Sequence, residues 1–164
     1  MPEQPRNRLA DMIEEELGPL ELDRAEPEWH KLKKQLEGLL EALEKWTSSQ
    51  IDVIFFNGDR NARSWWAFLG DHVAIADLEH APTRKFHVEI YDRRRDFREL
   101  CVDINNWAIE HSHDPPSAAA CLSVVVSTSS GKRHTLKASG ERCRKLLEIL
   151  RKHLIQSAES SSTA

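Results

Sequence analysis

Between Pro27 and Trp46 the apolar residues Trp29, Leu32, Leu36, Leu39, Leu43 and Trp46 recur in alternating steps of three and four. That spacing gathers all six on one face of a helix. Leu40 widens the seam, while Lys31, Lys33, Lys34, Glu37, Glu41, Glu44 and Lys45 fall elsewhere on the wheel, with Glu41 and Lys45 one turn apart. Pro27 suits the first turn, where its missing N–H has no intrahelical partner to lose, and Thr47-Ser48-Ser49 supplies the stop. A shorter helix precedes it, read from Leu9, Met12, Ile13, Leu17 and Leu20 and closed near Leu17 by Gly18-Pro19. Asp11, Glu14, Glu15 and Glu16 form its solvated face.

From Ile51 the period falls to two. Ile51, Val53 and Phe55 take one side of a strand and Ile54 and Phe56 the other, so both faces are apolar. Asn57-Gly58 opens a turn, and Trp65, Trp66, Ala67, Phe68 and Leu69 return with apolar side chains on both faces again. Gly70-Asp71 leads into a third strand, His72 to Leu78. After a loop holding Pro82, a fourth follows in which Phe86, Val88 and Ile90 alternate with His87, Glu89 and Tyr91. The first two strands are expected to be central or covered on both sides, and the fourth to lie nearer an edge.

Asp96 with Glu99 resembles a capping pair, and Phe97, Leu100, Cys101, Ile104, Trp107 and Ala108 carry a helical stripe to about Glu110. A hairpin comes next, with Leu122, Val124 and Val126 running to the Ser127–Gly131 turn and Arg133 to Ala138 returning. Ser139 is the expected cap of a last helix with the stripe Cys143, Leu146, Leu147, Leu150 and Leu154. The fold class is therefore α+β: two N-terminal helices, a four-stranded antiparallel meander, a helix, a β-hairpin and a C-terminal helix, forming one mainly antiparallel sheet flanked by helices. Residues 1–157 read as a single domain and 158–164 as a disordered Ser-rich tail. In outline this order resembles the small dimeric chaperones of type III secretion systems, in which helices flank an antiparallel sheet; the additional N-terminal helix departs from that pattern.

With 164 residues, 40% hydrophobic and 30% charged, the chain can bury a real core. Met1 to Ala10 holds no apolar run, and no window reaches the roughly 18 apolar residues of a membrane span. A cytoplasmic protein without membrane contact is expected. Cys101, Cys121 and Cys143 form no CxxC pair, which suggests neither disulfides nor a thiolate zinc site. Charge is uneven, at −5 over Met1 to Gln50 and +6 over Gly131 to His153. Such asymmetry can mark a nucleic-acid face or let an acidic front half dock on a basic back half.

Four kinds of site can be weighed. His111, His113 and Asp114 are the candidate metal ligands, because imidazoles and a carboxylate suit borderline metals, but three or four converging ligands are normally required. Catalytic residues are not assigned: there is no GxSxG, Ser130-Gly131-Lys132 lacks the upstream glycine of a P-loop, and all three cysteines fall on apolar patterns as small core residues. No cofactor is implied. Arg93, Arg94, Arg95, Arg98, Lys132 and Arg133, with further basic residues to Lys152, are the candidate phosphate or nucleic-acid contacts. Trp29, Trp46 and Trp107 read as core residues, whereas Trp65 and Trp66 must point to opposite faces of their strand. With Phe56 and Ile54, that pair is the expected protein interface. The expected function is a non-enzymatic protein-binding module, a small adaptor that is chaperone-like or regulatory and pairs with itself as a homo-oligomer while binding another protein. The alternatives are a nucleic-acid-binding protein using the basic residues, and an enzyme or metal-binding protein using a histidine cluster.

Overall fold

The computed structural model of the chain describes residues 8–17, 27–57, 64–78, 86–105 and 120–155. Among these the fold is α+β, with helices α1 (Arg8–Leu17), α2 (Pro27–Thr47) and α3 (Arg142–Ile149), the last continuing as a π-helical turn, Leu150–Ile155. Seven strands are β1 (Ile51–Phe56), β2 (Ser64–Leu69), β3 (His72–Leu78), β4 (Phe86–Asp92), β5 (Phe97–Asn105), β6 (Cys121–Thr128) and β7 (Arg133–Ser139). They form two antiparallel sheets in the orders β1-β2-β3-β4 and β5-β6-β7. The expected tail, 158–164, lies outside the described residues.

The meander is as its pattern predicts, with one irregularity. A register shift between Ile51 and Val53 pushes Asp52 out to solvent, so Ile51 joins the face of Ile54 and Phe56 instead of that of Val53 and Phe55. Gly70 takes φ +55 in the two-residue turn between β2 and β3, where an added Cβ would meet Ser49 Oγ at 3.1 Å. α2 ends as its sequence suggests: Ser48 adopts the left-handed conformation at φ 53, and Thr47 Oγ1 donates to the Leu43 carbonyl at 2.8 Å.

Segment 97–105 is a strand, not the expected helix. Leu100 and Ile104 fit a helical stripe, but Leu100, Val102 and Ile104 fit period two equally well, and the two patterns cannot be separated within the segment. What decides is β6, which pairs with it from Phe97 against Thr128 to Asn105 against Cys121. Asp96 closes a turn: its carboxylate accepts from the Asp92 amide at 2.8 Å and its own amide donates to the Asp92 carbonyl at 2.9 Å. Two sheets therefore replace the single expected one. Ser139 is the last residue of β7, not a helix cap, and Gly140 at φ +62 makes the bend into α3.

Both faces of the four-stranded sheet are covered by the chain itself. Leu9 and Ile13 of α1 and Leu36, Leu40 and Leu43 of α2 pack on the face bearing Ile51, Ile54, Phe56, Trp65, Ala67 and Leu69. The opposite face, with Phe55, Trp66, Phe68, Val73 and Ile75, packs on the inner side of the second sheet and on Cys143, Leu146 and Ile149 of α3. Asn57, just past β1, bonds to Thr135 and Lys137 of β7, while Lys132 and His134 reach Glu89 on β4. β1 and β4 are opposite edges of the sheet, so residues between 132 and 137 tie the second sheet to both.

α2 lies rotated from its apparent seam. Leu36, Leu40 and Leu43 are buried, and Trp46, roughly a quarter turn round the wheel from them, is 68% exposed where a core residue was expected. Glu16 is the converse case. Expected on a solvated face, it is buried, with Oε2 accepting from the Phe56 amide at 3.0 Å and from Arg142 at 2.8 Å, and Oε1 accepting from Lys145. Arg142 also donates to the Phe56 carbonyl at 2.6 Å and lies over the Phe55 ring. One carboxylate thus ties α1, the end of β1 and α3 together. Removing one partner of a buried ion pair leaves the other charge uncompensated. Glu16→Ala is therefore expected to cost about 3 kcal/mol in urea unfolding at pH 7, well above the loss for Glu15→Ala on the exposed face of the same helix.

Candidate functional site

The three strands of the second sheet do not share the same cover. On β6, Leu122, Val124 and Val126 are at most 1% exposed, and on β7 Leu136 and Ala138 are buried beside them. Their partners on β5, Ile104, Val102 and Leu100, point to the same side of the sheet yet are 41%, 37% and 37% exposed. The core ends between one strand and the next. At the start of β5, Phe97 still reaches inward to Tyr91, their ring centroids 5.7 Å apart, but from Arg98 onward every residue is exposed.

β5 is also an open edge. A sheet edge presents unpaired N–H and C=O groups, and folded proteins usually block them. At the edge strand β1, Arg8 donates to the Ile51 carbonyl at 2.7 Å, Glu44 accepts from the Ile51 amide at 2.7 Å, and Glu16 and Arg142 take the amide and carbonyl of Phe56. At β7 the Asn57 side-chain amide does the same, donating to the Thr135 carbonyl at 2.6 Å and accepting from the Lys137 amide at 2.8 Å. Among the described residues nothing comparable meets the outer edge of β5. An apolar row and an unpaired backbone edge thus coincide on one strand.

The residues expected to make the interface are elsewhere. Trp65 and Trp66 are 0% and 1% exposed, and Phe56 and Ile54 are buried with them. They do point to opposite faces of β2, but each face is sealed, by the N-terminal helices on one side and by the second sheet with α3 on the other. They are core residues, and the interface expectation moves off them. Cys101, expected in the core, is exposed on the outer side of β5; Cys143 is buried, and desolvation pushes its thiol up from its ordinary value.

The basic residues do not form one free surface. Arg93 is drawn inward, donating to the His153 carbonyl at 2.6 Å at the end of the last helix and to the Gly70 carbonyl. Burial of the His153 ring, with the Arg93 charge close by, holds that imidazole below its usual range. Arg94 lies 3.5 Å from Asp71, Arg95 3.5 Å from Asp96, and Lys132 on Glu89, while Arg98 and Arg133 are exposed. The uneven charge of the chain is partly spent on internal docking, through Glu16 with Arg142 and Lys145. His111, His113 and Asp114 lie outside the described residues. Among the described residues no group of three or more His, Cys, Asp or Glu is arranged to hold a metal ion, and no helix is long and apolar enough to cross a membrane.

One polar cluster was not foreseen. Glu89 of β4 sits in a cleft of about 180 Å³ lined by Ile75, Asp77, His87, Glu89, Lys132, Arg133 and His134. Its carboxylate meets Lys132, the Tyr91 hydroxyl, His87 Nε2 at 3.3 Å and His134 Nε2 at 3.2 Å, and Tyr91 Oη lies 2.9 Å from His134 Nε2. The Lys132 ammonium and the Tyr91 hydroxyl hold the Glu89 carboxyl down at about 2, and burial, with that carboxylate, pushes the phenol up. A carboxylate so fully engaged is a clasp between the sheets. Sequence offered only scattered histidines here, because the partners are 43 residues apart.

No protein-family model, curated protein or solved structure matches this chain. The resemblance to type III secretion chaperones rests on element order alone, and the stacked second sheet departs from it.

The clasp has a pH signature. Because the folded state lowers the Glu89 carboxyl from 4.5 to about 2, its contribution is complete above 4.5 and is lost as pH falls through that interval. Glu89→Gln is expected to lose roughly 2 kcal/mol at pH 7, as for charge-assisted hydrogen bonds, and to flatten the fall in stability between pH 4.5 and 2.5 measured by urea unfolding.

Proposed function

We propose that this chain is a non-enzymatic protein-binding module, a small self-associating adaptor, that works by strand addition at β5. The observation that carries the reading is the exposed row Leu100, Val102 and Ile104 on a strand whose outer edge is unpaired among the described residues. Strand addition draws affinity from main-chain hydrogen bonds and specificity from alternate side chains, and this strand offers both. Each of those side chains would gain roughly 1 kcal/mol on covering its remaining apolar surface.

The blocking of the edges of β1 and β7 supports the same reading. If open edges were merely tolerated here, Arg8, Glu44, Glu16, Arg142 and Asn57 would have no reason to meet the backbone of β1 and β7. The basic residues favour nucleic acid less, since Arg93, Arg142 and Lys145 are engaged internally and Lys132 is held by Glu89.

Size-exclusion chromatography with light scattering tests the proposal. The wild-type chain is expected at a multiple of its single-chain mass. Val102→Lys, which sets a charge in the apolar row, is expected at single-chain mass and still folded, with the far-ultraviolet circular dichroism of wild type. A wild-type protein that stays at single-chain mass across micromolar concentrations overturns it.

A further inference from the structure

We infer that the strand added at β5 is the β5 of a second copy, antiparallel about a two-fold axis through Val102; this rests on the self-association proposed above. An axis perpendicular to the sheet keeps the inner face inner, so inward residues must meet inward residues across the new pair. Past the irregularity between Phe97 and Glu99, the inward set is Leu100, Val102 and Ile104 and the outward set Glu99, Cys101, Asp103 and Asn105. Few registers satisfy that condition, and charge separates them.

With Cys101 on the axis, Glu99 faces Asp103 of the other copy twice, and Ile104 faces Arg98. With Asp103 on the axis, two aspartates face each other. Like charges directly opposite are destabilising. With Leu100 on the axis, Ile104 is left without an apolar partner. With Val102 on the axis, Val102 meets its own copy, Leu100 meets Ile104 twice, Cys101 faces Asp103 and Glu99 faces Asn105. No acid then faces an acid, and all three exposed apolar side chains of each copy are covered. The strand is its own complement about that one residue.

Closure points the same way. Head-to-tail growth from β5 onto β7 would give a ring or a filament and needs a free β7 edge, and the Asn57 amide already occupies Thr135 and Lys137 on β7. A pair of β5 strands closes on itself and turns two three-stranded sheets into one of six strands.

The test is site-specific disulfide formation under mild oxidation, read on non-reducing gels beside light scattering. Val102→Cys in a Cys101→Ser background is expected to give a covalent dimer in the majority of chains, since directly opposed Cβ atoms fall within disulfide reach. Leu100→Cys combined with Ile104→Cys in the same background is expected to do so as well, while wild-type Cys101, facing Asp103, is not. A wild-type Cys101 disulfide, or a non-covalent dimer in which neither variant cross-links, overturns this register and leaves self-association standing. A chain that stays single in solution overturns both.

Discussion

A four-stranded sheet that is apolar on both faces is the constraint from which the rest of this fold follows. Trp65 and Trp66 are adjacent, so an extended strand sends their indoles to opposite sides, and both must be buried. On area bookkeeping each is worth roughly 5 kcal/mol as an upper estimate. Two short helices cannot wrap both sides. The chain covers one face with α1 and α2 and the other with a second sheet and α3, which makes a stack of layers around the meander.

Stacking two sheets creates edges, and polar side chains close two of them, β1 and β7. Glu16 and Arg142 finish one end of β1 while Arg8 and Glu44 finish the other, so the helices that cover the sheet also occupy its backbone. The acidic front half and basic back half of the chain find their purpose here. Glu16 of α1 meets Arg142 and Lys145 of α3 across the end of β1, and Glu89 of β4 meets Lys132 just before β7. Buried ionic groups of this kind fix which elements lie together more than they add net stability. β5 lies beyond their reach, at the far side of its sheet, and there a row of three exposed apolar side chains coincides with an edge that no described side chain occupies.

That distribution changes what kind of surface a partner would meet. Large aromatic anchors are the usual centre of a protein interface, and this chain places five of them, Phe55, Phe56, Trp65, Trp66 and Phe68, in its interior. Trp46 on α2 stays exposed, and what β5 leaves outside is modest in area and regular in spacing. Such a surface suits pairing of strands, in which the backbone carries much of the bond and the side chains select the register.

The sequence by itself determined the local elements whose period admits a single reading. α1, α2 and the four strands of the meander lie where their spacing puts them, because seams such as Leu36, Leu40 and Leu43, or strands such as Trp65 to Leu69, have no competing assignment. Tertiary structure decided the rest. Segment 97–105 satisfies periods of two and of nearly four at once, and only pairing with β6 made it a strand; Glu16 looks solvated until Arg142, 126 residues later, arrives beside it. The candidate site was illegible for the same reason. Exposure of Leu100, Val102 and Ile104 and burial of Trp65 and Trp66 depend on where the second sheet comes to rest, and that is set by contacts between residues distant in the chain, which no local period encodes.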